Sequence, residues 1–319
     1  MSARRSSAAL GLPIAMGAPV ISCPHPHLQD KEEIMSAPVP STAVVAAFLR
    51  AAHLTEDGNP KIFQDTLAHA LMGHELAARF EDLLRQSWPP ALLPVARVTM
   101  VTRARYTEDR LLQRANAGIE QYVILGAGPD TFGYRRPDIR GALRVFEVDH
   151  PLAQSWKRER LRAAEINEPV GVRFVPVDFE RESLQEELAR MGFRAEAPAF
   201  VSWLGVTQYL TPTAIQSTLD VLSSFARGSE IVVTYVVPDE LRDDVDRAFA
   251  AASASLAAAR GEPWRTFFHP AEFEALVRTS GFTSVEHFGP DEAAAQPYFH
   301  NRTDRLRPQG LERCVAAHR

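Results

Sequence analysis

The sequence predicts an α/β protein built on a doubly wound, mostly parallel, seven-stranded sheet, with an N-terminal helical cap and a helical insertion after the fifth strand. Three observations predict it. Short apolar runs alternate with amphipathic helical patterns from Gln121 onward, as βαβ crossovers require. The first run closes on Gly126-Ala127-Gly128, and the third of the chain before it reads mostly as helix.

Taken in order, Ser41-Thr42 is cap-like, and Val45, Phe48, Leu49 and Ala52 recur at helical spacing up to Gly58-Asn59-Pro60. A second helix is expected from about Ile62 to Leu84, on Phe63, Leu67, Leu71, Leu76 and Phe80, with Trp88-Pro89-Pro90 breaking it. The first strand is Tyr122-Val123-Ile124-Leu125, a continuous apolar run of the kind buried on both sheet faces. Strands then follow at 143–148, 172–175 and 200–204, and the β-branched run 231–237 is the fifth. Leu184, Leu188 and Met191 mark one crossover helix, and Ile215, Leu219, Leu222 and Phe225 another, capped by Thr211 with Pro212 at its first turn. An Ala-rich helical insertion spans about Asp239 to Arg260. A helix from Pro270 is stopped at Gly281, and 283–288 and 314–317 supply the last two strands.

The 319 residues are 45% hydrophobic and 24% charged, enough for a full core without staples. A single catalytic domain is expected over 39–319: a helical cap at 39–118, then a cofactor-binding core at 119–319 with the insertion at about 238–268. Residues 1–38, broken by Pro13, Gly17 and Pro19, read as a disordered extension, and Met35 opens a second plausible start. The net charge of -5 gives no reason to expect nucleic acid. Arg158, Arg160 and Arg162, alternating with Glu159 and Glu165, have the pattern of a solvated helix face. With two cysteines, Cys23 and Cys314, a disulfide framework is not expected, and a reducing cytoplasm fits. The longest apolar runs are strand-sized, far below the ~18 residues of a membrane span. His69 and His74 are five apart, off the four-residue spacing of paired helical ligands, so no metal is assigned.

The first βα turn of such a sheet is where a nucleotide binds, because glycines let backbone approach the ligand and the next helix offers free N–H groups. Gly126 and Gly128 meet that need, but Thr131 stands where a dinucleotide site would carry its third glycine. A diphosphate therefore fits less well than a methyl donor, whose sulfonium, amino-acid tail and adenosine suit a shorter turn. Asp149, 23 residues beyond Gly126, ends the second strand, where a carboxylate can accept from both ribose hydroxyls or can serve the helix N-terminus before Pro151. Asp178, after the third strand, is either an acceptor for an adenine amine, with Phe179 as a packing surface, or the cap of a helix starting near Glu180.

Several stretches resemble the leucine carboxyl methyltransferase family, including its bacterial branch of class I methyltransferases dependent on S-adenosylmethionine. They are IFQDTLA at 62–68, RARYTED at 103–109, QYVILGAGPDTFGYR at 121–135, FEVDHP at 146–151, WLGVTQYLT at 203–211 and RTDRLR at 302–307. The resemblance covers most of the chain and implies S-adenosyl-L-methionine as cofactor. It implies that Arg103 binds the cofactor carboxylate, that Gly126, Ala127 and Gly128 line its methionine moiety, that Asp149 holds the ribose, and that Asp178 and Phe179 contact adenine. Leu204 lines the same site but replaces an acid common among family members, so the ammonium contact must come from elsewhere, such as Gly126, Asp130 or backbone carbonyls.

Because the methyl group is already activated, the protein mainly aligns a nucleophile. A carboxylate acceptor needs no base, whereas a phenol would gain from one; Tyr209, His150 and His300 are candidates. The expected activity is O-methylation of a small-molecule carboxylate or hydroxyl. The alternatives are a nicotinamide-dependent oxidoreductase sharing the turn and Asp149, or a cofactor-binding relative without turnover, suggested by Leu204.

Overall fold

A computed structural model describes residues 41–136, 138, 143–178 and 181–319. The extension expected over 1–38 and the adenine contact expected of Phe179 lie outside the described residues. The described residues pack as one compact unit.

The sheet is the expected one: β1 (Gln121–Leu125), β2 (Arg144–Asp149), β3 (Val172–Pro176), β4 (Phe200–Trp203), β5 (Glu230–Val236), β6 (Ser284–Phe288) and β7 (Glu312–His318), in the order β3-β2-β1-β4-β5-β7-β6. Only β7 runs antiparallel, lying between β5 and β6. Its reversed direction brings Glu312 opposite Val236, at the edge where the parallel strands end. The order reverses between β1 and β4, and ligands of open α/β sheets bind above such a switch point.

Alternation along each strand divides the core. Val123 and Leu125 face one side with Phe146, Val148, Val201 and Ile231; Tyr122 and Ile124 face the other with Val145, Phe200 and Val232. The first side is covered by α7 (Leu184–Arg190), α8 (Pro212–Ser223) and α10 (Pro270–Thr279) through Leu188, Leu219 and Phe273. The second is covered by α4 (Leu92–Asn116) and α6 (Pro151–Ala163) through Leu111 and Leu161. Full burial of each such side chain is worth about 1.5–3 kcal/mol. The cap of α8 is as read: Thr211 accepts from the Ala214 amide at 3.2 Å, with Pro212 in the first turn.

The N-terminal region differs from expectation in one place. After α1 (Ser41–Glu56), the helix expected from Ile62 to Leu84 starts only at Ala68 and is interrupted at Gly73, giving α2 (Ala68–Met72) and α3 (His74–Ser87). Gly73 has φ 76°, a backbone that suits glycine and breaks the helix. Upstream, Ile62 and Phe63 turn into a separate cluster with Val98, Val101, Tyr298 and Leu306. The Asp65 carboxylate accepts from the Ala68 amide at 3.0 Å, from Arg50 Nε at 2.8 Å and from Thr131 Oγ1 at 2.6 Å. Tertiary partners for Ile62, Phe63 and Asp65 override a helical pattern that propensity alone favours.

A second correction concerns Arg160. Instead of facing solvent, its guanidinium donates to the carbonyls of Leu71 and Met72, satisfying the last turn of α2. The insertion forms a short 3-10 turn at Asp239–Leu241 and then α9 (Asp244–Ala258). Among the described residues no helix is long and apolar enough to cross a membrane.

Candidate functional site

The ends of β1, β2, β3 and β4, together with α1, α4 and the insertion, surround a cavity of about 680 Å³. Its floor is the loop after β1. Gly126 and Ala127 donate to the Val148 carbonyl at 2.9 and 3.0 Å, which folds the loop toward β2. Gly126 has φ 68°, and a Cβ there would stand 2.6 Å from Val206 Cγ2. At Gly128, φ is 40° and a Cβ would press on Ala43 at 3.1 Å. Backbone conformation and close approach both demand glycine at these positions. Asp130 closes the loop, its carboxylate accepting from the Phe132 amide at 2.8 Å to start the short helix α5 (Phe132–Arg135).

Asp149, at the end of β2, accepts from the Gly128 amide at 2.6 Å and from the His150 amide at 2.7 Å. Its carboxyl is raised above the usual carboxylate range by burial, which these two hydrogen bonds only partly oppose. The two readings of Asp149 are thereby separated: the N-cap of α6 is His150, whose ring accepts from the Leu152 amide, while Asp149 faces the glycine loop. Asp178 also lines the cavity. The helix it was considered to cap begins later, at Leu184, with Ser183 as cap. Asp178 instead opens a turn, its amide donating to Glu182 at 2.8 Å and its carbonyl accepting from Arg181 and Glu182.

Arg103 projects from α4 to the end of β4. Its Nη1 donates to both oxygens of Glu312 at 2.7 Å, and a Cβ on Gly205 would meet Nη1 and Nη2 at 2.7 Å. The guanidinium therefore turns its Nη1–Nη2 edge toward Gly205, next to Leu204, where the chain offers apolar surface rather than an acid. Farther along α4, Glu108 meets Arg135 in a buried ion pair, and burial pushes its carboxyl up to about 7. Arg50 joins α1 to the floor by donating from Nη2 to the Pro129 carbonyl at 3.0 Å and from Nε to Asp65.

The other half of the cavity is walled by Val45, Leu49, Trp88, Met100, Phe249 and Trp264. Trp88 and Phe249 pack edge to face, with ring centroids 5.7 Å apart. Thr42 Oγ1 donates to Glu262 Oε2 at 2.8 Å and joins α1 to the insertion across the top. Tyr209 sits in a 3-10 turn after β4, and burial raises its phenol above the ordinary value.

Every described residue of the predicted cofactor set, Arg103, Gly126, Ala127, Gly128, Asp149, Asp178 and Leu204, lines this one cavity, as do Tyr209 and His150. His150 lies exposed at its rim. Glu312, Glu108, Trp88 and Trp264 were not singled out from sequence. Glu108 lies within the RARYTED stretch at 103–109 and Trp88 within the helix break at 88–90, whereas Glu312 carries no local signal. The last resembling stretch, 302–307, is structural: Arg302 and Asp304 pair at a turn, where Arg302 donates to the Pro60 carbonyl and Asp304 accepts from the Gly58 amide.

A profile of the family described as leucine carboxyl methyltransferase matches residues 43–223. YktD of Bacillus subtilis, whose name places it among S-adenosyl-L-methionine-dependent methyltransferases without giving an acceptor, is 33% identical over 288 residues, covering 83% of this chain and 93% of that protein. A Mycobacteroides abscessus protein with the same kind of name is 35% identical over 224 residues, 66% of this chain and 68% of that one. Among solved structures, a DUF574 family protein from Streptomyces avermitilis aligns with a TM-score of 0.57 at 15% identity, over 89% of this chain and 99% of that chain. One described as a methyltransferase, from Thermobifida fusca, aligns with a TM-score of 0.57 at 18% identity, over 89% and 97%. At these identities the structural likeness speaks to the fold.

Proposed function

Because this chain belongs to the leucine carboxyl methyltransferase family and is an S-adenosylmethionine-dependent methyltransferase, we propose that it methylates an oxygen on a small-molecule carboxylate or hydroxyl. The observation that carries this reading is the largely apolar and aromatic half-cavity over the ends of β4 and β5, bounded by Trp88, Phe249 and Trp264 and bridged by Thr42 and Glu262. A volume of about 680 Å³ lies within the ~300–1,000 Å³ of drug-sized sites, so the space beside a cofactor suits a small acceptor better than a folded protein surface.

In this reading Gly126, Ala127 and Gly128 cradle the methionine moiety, Asp149 accepts from the ribose hydroxyls, Asp178 with the following Phe179 serves adenine, Arg103 holds the carboxylate and Leu204 packs alongside. The tight approaches at Gly126 and Gly128 and the two amides already aimed at Asp149 support the fit. Residues 39–118 act as the cap, 119–319 as the core, and about 238–268 as the insertion that closes the acceptor side. S-adenosylmethionine supplies a methyl group on a sulfonium; the chain's part is to align the acceptor oxygen and exclude water.

Two observations favour a carboxylate over a phenol. The raised phenol of Tyr209 stays protonated and so offers no base, and the His150 ring is engaged as the cap of α6. A carboxylate ionised at neutral pH needs no base. The family description itself names a carboxyl acceptor. A reducing cytoplasm suits the unpaired, buried Cys314.

A methyl-transfer screen with radiolabelled S-adenosylmethionine against small carboxylic acids, phenols and peptides tests the proposal. Label is expected in a small carboxylic acid, as a base-labile ester, or secondarily in a phenol. Label confined to peptides or amines would overturn it.

A further inference from the structure

We propose that Glu312 receives the ammonium group of the cofactor's amino-acid tail, forming with Arg103 a charge-complementary clamp for a zwitterion. The inference rests on the cofactor placement given above, in which the tail lies along the glycine loop toward the end of β4. That tail carries one positive and one negative group on a single carbon. A site that holds both needs an anion and a cation about as close together as those groups are.

Arg103 and Glu312 meet that requirement. They line the same cavity, their charged atoms are 2.7 Å apart, and both side chains are largely withdrawn from solvent, with exposures of 14% and 7%. Their mutual geometry leaves capacity on each side. Both Glu312 oxygens converge on Nη1, so among the described residues Nη2 and Nε of Arg103 make no hydrogen bond. Each carboxylate oxygen can accept a further donor beyond Nη1. The Nη1–Nη2 edge of the guanidinium, turned toward Gly205, aims the pair at the end of β4. Leu204 beside it brings no charge, so the anion at this wall comes from β7, two strands away in the sheet.

Of the other acids in the cavity, Asp149 faces the glycine loop and Glu262 accepts from Thr42, and three more have partners on other elements or in the loop. Glu108 is paired with Arg135, Asp65 with Arg50, and Asp130 accepts from the Phe132 amide. With the tail in place, four alternating charges sum to zero, and every charge has an opposite neighbour. Such an arrangement tolerates burial, where a lone ammonium would not. The antiparallel course of β7 is what makes this possible, since a parallel strand in the same position would present its last residue, not its first, at the cofactor edge.

Calorimetric titration of three ligands separates the roles. S-Adenosylhomocysteine carries both charges of the tail, its decarboxylated form keeps only the ammonium, and 5′-methylthioadenosine has neither. Glu312→Gln should weaken the first two by roughly ten- to a hundred-fold, the range expected for a hydrogen bond between charged partners, and leave 5′-methylthioadenosine within about two-fold. If the decarboxylated ligand binds wild type and Glu312→Gln alike, Glu312 merely positions Arg103 and the proposal fails. If all three ligands weaken together, the substitution has damaged the fold and the assigned role is equally refuted. Asp149→Ala should weaken all three ligands. If it weakens none, the cofactor placement is wrong whatever Glu312 does.

Discussion

At the scale of single residues, Asp149 joins local sequence to chemistry. Its position after β2 was readable from spacing, but the spacing left two roles open, and only the 2.6 Å contact with the Gly128 amide separates the loop-facing carboxylate from a helix cap. Burial raises its carboxyl, and the ionised form is the one that accepts hydrogen bonds from hydroxyls. Acidification should therefore weaken cofactor binding as pH falls through this raised value, starting above the ordinary aspartate value near ~3.9. S-Adenosylhomocysteine titrations run downward from neutral pH into the range where Asp149 takes up its proton should show that decline in wild type, with a flatter profile in Asp149→Asn. A pH-independent affinity in wild type would contradict the assigned role. Gly126 and Gly128 were likewise legible as a tight turn closing an apolar strand, because the backbone freedom such a turn needs is a local property. Glu312 was not: its partner Arg103 is 209 residues away in sequence, and nothing local to Glu312 reports that distance.

At the scale of elements, α4 fastens the N-terminal helices to the sheet. Arg103 near its middle reaches the cofactor edge of the sheet, while Arg110 and Arg114 reach Glu230 and the Gly228 carbonyl at the opposite edge, so the helix spans the sheet and is fastened at both ends. A buried pair fastens α6 in a comparable way. Lys157 Nζ meets Glu147 Oε2 at 2.6 Å, with Tyr134 donating to the same oxygen at 3.2 Å. Both charges are almost wholly buried, so removing one strands the other. Lys157→Met alone should destabilise the protein by about 3–5 kcal/mol, and adding Glu147→Gln should recover a large part of that loss. Denaturant melts of the two single variants and the double variant measure the coupling, and additive losses would show that the pair is energetically independent. Neither partner could be recognised beforehand, since Lys157 lies among arginines that read as a solvated face and Glu147 sits inside an apolar strand. The helix expected over 62–84 failed for a related reason: Asp65, Ile62 and Phe63 have partners on other elements.

At the scale of the whole molecule, the cavity is closed by segments far apart in the chain. α1 and the insertion meet through Thr42 and Glu262, 220 residues apart, above the aromatic half of the site. Because that contact joins α1 to the insertion and involves no strand, breaking it should loosen the top of the cavity and spare the sheet. Thr42→Val should raise hydrogen-exchange rates in residues 260–265 by roughly ten-fold, as the loss of one hydrogen bond to a charged group implies, while β1, β4 and β5 keep their protection. Unchanged exchange in 260–265 would mean that the latch contributes nothing to closure.

The sequence by itself determined the α/β class, the seven strands, the glycine turn with Asp149 after it, and a resemblance strong enough to imply the cofactor. These features are written locally, because strand burial, helix periodicity and glycine geometry act over a few neighbouring residues. Tertiary structure decided that Asp149 faces the glycine loop while His150 caps α6, where the second helix begins, that Arg160 satisfies carbonyls rather than facing water, and that Arg103 shares its charge with Glu312. Each of those outcomes depends on a partner brought close by sheet order and the reversal of β7, and Coulomb and hydrogen-bond energies depend on distance in space, not on separation along the chain.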